Sequence, residues 1–388
     1  MGIGTKLIHP GNEVDETTGA VSTPIYQSVI FAQKDMDTTG RWEYTRSGNP
    51  TRAALEETVA QLEGGQFGFA FASGMAAITA AFCLFSAGDH ILVGRDIYGG
   101  TFRLVNRLLP RFGFQIELVD TTDLENVRKA IRPETRGLYL ETPSNPLLKI
   151  TDLREVAALA RKHNIITIAD NTLMTPYLQR PLELGVDIVV HSATKYLSGH
   201  SDCLAGVVAT SDQRLANEVR FVQNSIGAVL APHECWLIMR GIKTLKVRLE
   251  QQQATAGRLA DWLLTRKEIK AVFYPGIENH PGRSLHYSQA EGAGGVISFR
   301  LPDSESARRF INGLHLPAIG SSLGAVESIV TLPATMSHGA LTEEMRQTLG
   351  IGRDLVRLSV GIEDFEDLRG DLAEALQGSN GIANLALI

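Results

Sequence analysis

The sequence predicts an α/β protein: a large domain with a mostly parallel, buried sheet, then a smaller α+β domain. Three observations predict it. Between Pro50 and about Arg240, short apolar segments alternate with amphipathic helical ones, the pattern of βαβ units. The residues before Asn49 are too polar and broken for either element. Beyond about Arg240 one long helical stretch leads into short strands and further helices.

The elements follow in order. NPTRAALEETVAQLEGG opens with a polar cap and a proline, runs with helical period and stops at paired glycines, the usual helix punctuation. FGFAFAS reads as a strand and GMAAITAAFCLF as a helix. HILVG is a strand, and TFRLVNRLLPRFG is a helix with a late proline. FQIELVD and GLYLETP are strands, and DLREVAALARKHN is a helix closed by Asn164. IITIADN, VDIVVHSA and AGVVAT are strands with few polar breaks, as expected where a sheet is covered on both faces. After them GIKTLKVRLEQQQATAGRLADWLLT is helical, AVFYP and GGVISFRL are strands, and RLSVGIE carries the last strand. The expected domains are an arm over 1–48, a large domain over 49–241 and a small domain over 242–388. Tyr26, Trp42, Tyr44 and Arg46 make residues 1–48 too sticky for a free tail, so an arm laid on a neighbouring subunit is expected.

Composition excludes several functions. The 388 residues are 44% hydrophobic and 21% charged, with a formal net charge of -6, which disfavours nucleic acid as a partner. Cys83, Cys203 and Cys235 are odd in number and far apart, which suits neither a disulfide framework nor a zinc site and fits a reducing, cytoplasmic setting. No metal is expected. The N-terminal segment lacks a signal-peptide pattern, and no apolar run approaches the roughly 18 residues that a membrane helix needs.

Ligands in open α/β sheets bind at the carboxyl ends of the strands. Ser73, Gly74 and Met75 stand where one strand turns into a helix, a natural anion site. Glu141 and Asn145 follow another strand. Asp170 ends IITIA, and Ser192, Thr194 and Lys195 follow VDIVVH. Neither a Walker loop nor a well-placed GxGxxG is present, which disfavours a nucleoside triphosphate or a dinucleotide. A smaller phosphorylated cofactor remains. Asp170 and Lys195 are one βα unit apart, the pair that pyridoxal phosphate requires: an amine to condense with its aldehyde and an acid to keep its ring nitrogen protonated. Tyr98, after HILVG, could stack on a cofactor ring or merely pack in a glycine-rich turn. Arg357 could grip a carboxylate or form a surface ion pair. Asp170 taken alone could be a helix-cap or turn aspartate, and His200 and Asp202 could be taken for a catalytic pair but suit helix-end or cap roles better.

YTRSGNPT (44–51), ASGMAAI (72–78), ETPSNP (141–146), DNTLMTPYLQRP (170–181), HSATKYLSGHSD (191–202), SLGAVES (322–328) and RLSVGIE (357–363) together resemble the Cys/Met-metabolism family of pyridoxal-phosphate enzymes. The resemblance implies the aminotransferase-like fold type I of these enzymes, with a seven-stranded sheet. It also implies roles. Lys195 binds the cofactor and moves protons; Asp170 pairs with the ring nitrogen; Tyr98 stacks on the ring. Ser73, Gly74, Met75, Ser192 and Thr194 hold the phosphate. Tyr44 and Arg46 reach the phosphate of a neighbouring subunit, within a homotetramer of two active dimers. Asn145, Ser322 and Arg357 bind the substrate α-carboxylate. Within the family, residues 247–250, 278–299 and 321–341 most resemble the Bacillus-type cystathionine β-lyases. The implied reaction is β-elimination from L-cystathionine to homocysteine, pyruvate and ammonia. Cystathionine γ-elimination or γ-replacement is the alternative. Ser321 stands where many γ-specific members carry an acid, and Gly100 where methionine γ-lyases tend to have cysteine.

Overall fold

A seven-stranded sheet forms the centre of the first of two units, ordered β1-β7-β6-β5-β4-β2-β3. The strands are Phe67–Phe71 (β1), His90–Gly94 (β2), Gln115–Val119 (β3), Thr135–Glu141 (β4), Ile166–Asp170 (β5), Ile188–His191 (β6) and Gly206–Thr210 (β7). The structure is a computed structural model that describes residues 1–380 other than 12, 13, 39 and 340. Only β7 runs against its neighbours, pairing antiparallel with both β1 and β6. Two reversals cancel, so β1 runs parallel to β6 and their carboxyl ends share one edge. In β4, β5 and β6 register places Glu141 opposite Asp170 and Asp170 opposite Val190. The first unit comprises Met1–Arg95, Gly100–Thr142 and Thr151–Lys246.

Helix Leu153–Lys162 shows how sequence builds this unit. Asp152 caps it by accepting from the Glu155 amide at 3.0 Å. Leu153, Val156, Leu159 and Ala160 fall at helical spacing and bury against Leu138 and Leu140 of β4 and Leu92 of β2. Each buried leucine contributes about 1.5–3 kcal/mol relative to exposure. Helix Pro50–Leu62 is capped by Asn49, whose side chain accepts from the Thr51 and Arg52 amides. Asn49 also donates to Tyr26 O, and Thr51 donates to Pro24 O, so the N-terminal segment is tied to this helix start. The segment holds one short helix, Ile3–Lys6, and a bridge between Ile30 and Tyr44.

One expected helix breaks into three pieces. Residues 99–103 are α-helical, Leu104–Leu108 form a π-helical turn, and Leu109–Phe112 a 3-10 turn. Pro110 has no N–H to continue the α ladder, and Gly113, at φ 85°, ends the run. The long helix expected from Gly241 begins at Leu245, after a separate helix Pro232–Ile242.

The second unit comprises Asp96–Gly99, Pro143–Ile150 and the chain from Val247 onward. Its sheet is ordered β10-β11-β12-β9-β8, from Ala271–Phe273 (β8), Val296–Arg300 (β9), Ala318–Ile319 (β10), Ile329–Thr331 (β11) and Leu355–Ser359 (β12). Helix Leu245–Leu264 lays Leu259, Ala260 and Leu263 on Ile297, Phe299, Val356 and Leu358. No helix among the described residues is long and apolar enough to cross a membrane.

Candidate active site

The carboxyl edge of the first sheet gathers Ser73, Gly74, Asp170, Ser192 and Thr194. Ser73 ends the turn after β1, and its hydroxyl accepts from the Ala76 amide at 3.1 Å. Gly74 and Met75 then open helix Gly74–Phe82. The leading amides of a helix have no acceptor within it and favour an anion. A Cβ on Gly74 would lie 2.8 Å from Ser192 Cβ, so only glycine lets this helix start meet the turn after β6. Ser192 is half-buried, and its amide donates to Thr172 Oγ1 at 2.8 Å. Thr194 is pinned to the chain before β7: its hydroxyl accepts from Ala205 N at 2.9 Å and donates to Ala205 O at 3.1 Å.

Asp170 is 6% exposed. Its Oδ1 accepts from Thr172 N at 3.0 Å and Thr172 Oγ1 at 2.5 Å, and its Oδ2 from Tyr139 Oη at 3.1 Å. It therefore is a turn aspartate, and it is also a buried carboxylate clamped from both oxygens. Burial and the Asp170 charge push the Tyr139 phenol well above its usual range, so Tyr139 stays a proton donor to the carboxylate. Lys195 lies half-buried in the turn that follows, held by its own amide on Ser192 O and by Gly199 N on its carbonyl. Helix Pro232–Ile242 braces this turn from behind: a Cβ on Gly241 would come within 2.2 Å of Ser198 O. His200 binds Ser198 O and Asp202 accepts from Ser198 Oγ, which gives both a role in shaping the loop.

The N-terminal segment places Arg46 over the Tyr44 ring at 5.2 Å, with its Nε on Asn224 Oδ1 at 3.2 Å. Both side chains lie within the first unit. Tyr44, Ile30 and Val29 are exposed there.

The second unit builds a separate cluster. Arg357 on β12 is 1% exposed. It donates to Asn145 Oδ1 at 2.9 Å, Ser322 O at 2.8 Å and Thr331 Oγ1 at 3.1 Å. It is thus a buried, oriented guanidinium, in contrast to a surface ion pair. The Ser322 loop is fixed by Gly324 N on Ser359 Oγ and Ser328 N on Glu363. Tyr98 is 38% exposed; the short piece it belongs to is tied down by Lys149 Nζ on both oxygens of Asp96 at 3.0 Å. His338 sits in the same cluster. Burial and the Arg357 charge hold its pKa down to about 4, so it stays neutral near pH 7.

Tyr139, Thr172, Asp96, Lys149 and His338 escaped sequence reasoning. Only Thr172 had a local signal, the Asp-x-Thr spacing of an Asx turn. Burial pushes the Cys203 thiol up to about 12 and Cys235 up as well, so neither is a nucleophile at neutral pH.

The donor set fits pyridoxal phosphate. A close-packed glycine and a hydroxyl meet at a helix start, and a clamped carboxylate and a lysine lie on the same sheet edge. Comparisons agree. A family model described as "Cys/Met metabolism PLP-dependent enzyme" matches residues 4–377. The cystathionine beta-lyase MetC of Bacillus subtilis (strain 168) is 52% identical over 373 residues, 96% of each chain. A cystathionine gamma-lyase of the same organism is 50% identical over 373 residues, covering 96% of this chain and 98% of its own. Among solved structures, cystathionine gamma-lyase from Lactobacillus plantarum, complexed with L-serine, superposes with a TM-score of 0.96. It is 46% identical and covers 98% of this chain and 100% of its own.

Proposed function

The chain belongs to the Cys/Met-metabolism PLP-dependent enzymes, and we propose that it is a cystathionine β-lyase, a carbon–sulfur lyase of methionine biosynthesis. L-Cystathionine and water give homocysteine, pyruvate and ammonia. The observation that carries the proposal is the clamped Asp170 carboxylate on the sheet edge that bears Lys195. Ser321, where γ-specific members often have an acid, and the 52% identity to a β-lyase favour the β position.

Bound pyridoxal phosphate supplies an electron sink for charge that develops at the substrate Cα. The chain's own residues do the rest. Asp170, its oxygens held by Thr172 and Tyr139, would pair with the ring nitrogen and keep its proton there. Gly74, Met75 and Ser73 offer their turn to the phosphate; Ser192 and Thr194 add hydroxyls, Thr194 by turning its proton away from Ala205 O. Lys195 Nζ would hold the cofactor and, once the substrate is in place, would act as the base for the Cα proton. The homocysteine sulfur leaves Cβ and collects a proton from Tyr98 or Lys195. Arg357 and Asn145, with the Ser322 loop, receive the α-carboxylate. Tyr44 and Arg46 serve a neighbouring subunit's phosphate, which accounts for the exposed apolar residues of the N-terminal segment. The assembly proposed is a cytoplasmic homotetramer of two active dimers.

γ-Cleavage uses the same residues plus a second proton removal at Cβ, and the 50% identity to a γ-lyase keeps it in view. Product analysis separates the two. With L-cystathionine, pyruvate and homocysteine are expected in equal amounts. 2-Oxobutyrate and cysteine as the main products would replace β- by γ-cleavage.

A further inference from the structure

Glu63 follows helix Pro50–Leu62 and carries a side chain that is fully buried. A carboxylate in that position is costly unless hydrogen bonds compensate. Its compensation comes from two strand ends. Glu63 Oε1 accepts from His191 Nε2 at 2.6 Å and from Asn171 Nδ2 at 2.9 Å. A carboxylate only accepts, so both partners donate. His191 is 1% and Asn171 1% exposed. Asn171 donates a second time, to Gln179 O at 2.8 Å, and Gln179 reaches on to Thr142 O at 3.0 Å. The network therefore joins one helix end to the ends of β4, β5 and β6.

Sequence neighbours give this network its consequence. Asn171 directly follows Asp170, and His191 directly precedes Ser192. One carboxylate oxygen thus fixes the residue beside the carboxylate assigned to the ring nitrogen and the residue beside the hydroxyl assigned to the phosphate. Thr172 Oγ1 links the same two turns on the other side, from Asp170 Oδ1 to Ser192 N. The Glu63 side chain itself touches neither Asp170 nor Ser192 through any of these bonds.

We propose that Glu63 is a positioning residue for the cofactor site, its Oε1 holding the β5 and β6 ends at the separation that lets Asp170 and Ser192 bind one molecule of pyridoxal phosphate. The inference rests on the cofactor site assigned above. What matters is the acceptor: the charge is incidental. Glu63→Gln keeps an oxygen that accepts from both donors. Glu63→Met fills nearly the same volume with no comparable acceptor, leaving His191 Nε2 and one N–H of Asn171 without the oxygen they share.

The test compares pyridoxal phosphate affinity with fold stability. Apoproteins of wild type and both variants are titrated with pyridoxal phosphate by equilibrium dialysis, and thermal midpoints are recorded with and without it. The cofactor-induced rise in midpoint reports binding to the folded state alone. The expected result is at least about tenfold weaker binding for Glu63→Met, the size of effect seen when the partners that orient a site's ligating groups are removed. Its cofactor-induced midpoint rise should shrink, and Glu63→Gln should stay near wild type on both. Glu63→Met binding within twofold of wild type, whatever its midpoint, overturns the inference, as does equal weakening by Glu63→Gln. If Glu63→Met does not fold, Asn171→Ala removes one arm of the network and must weaken binding in the same direction; unchanged binding again overturns it. A wild-type protein that binds no pyridoxal phosphate refutes the cofactor site itself, a distinguishable failure.

Discussion

Replacing Lys195 with alanine is expected to lower kcat by at least roughly 10³-fold, because the proposed function gives one amine both the bond to the cofactor and the transfer of the Cα proton. The fold should survive. The turn around Lys195 is held by main-chain bonds from Lys195 N to Ser192 O and from Gly199 N to Lys195 O, and alanine keeps both. The phosphate and ring contacts proposed for Gly74, Ser192 and Asp170 are left in place, so the variant should still bind pyridoxal phosphate, reversibly. Dialysis should then remove cofactor that the wild type retains. Turnover within tenfold of wild type, measured on L-cystathionine with cofactor in excess, would take the proton-transfer role away from Lys195.

Arg357→Ala is expected to cut kcat/KM for L-cystathionine by roughly 30-fold to several thousandfold, the range for removing one partner of a buried charge-assisted pair. Most of the loss should fall on KM, since carboxylate binding is shared by ground and transition states. Arg357→Lys should recover little. A guanidinium donates along several fixed directions at once, and here those run to Asn145 Oδ1, Ser322 O and Thr331 Oγ1; a single ammonium cannot hold all three and still face a carboxylate. The alanine variant also strands the Asn145 and Thr331 acceptors in a buried site, so a lower thermal midpoint is expected alongside. An unchanged KM would move the carboxylate site elsewhere.

The sheet was legible because its strands are short apolar runs bounded by Gly, Asn, Asp and Ser, and because the helices between them repeat at three and four residues. Asn49-Pro50 announced a helix start through local cap chemistry, and Asp170 stood out because it ends the mostly apolar run IITIA one βα unit before Lys195. The parallel order itself needs no more than short βαβ connections. What stayed hidden depends on contacts far apart in sequence. Glu63 looks in sequence like the polar end of a surface helix, yet His191 and Asn171, more than a hundred residues away, turn it into a buried acceptor. Tyr139 sits in the middle of a strand, where alternation marks it only as core; its bond to Asp170 comes from the β4–β5 register. Residues 96–99 and 143–150 read as loops of the large domain, whereas they cluster with the chain from Val247 onward. The π-helical and 3-10 turns over 104–112 replace a single helix because Pro110 interrupts a pattern whose apolar spacing is otherwise regular.

Central to the account is a covalent bond between pyridoxal phosphate and Lys195. Borohydride reduction of the cofactor-loaded protein, followed by proteolysis and mass spectrometry of the peptides, tests it most directly. The prediction is a phosphopyridoxyl group on the peptide containing Lys195 and on that residue alone. A reduced protein in which Lys195 is unmodified, or in which the label sits on another lysine, would contradict it.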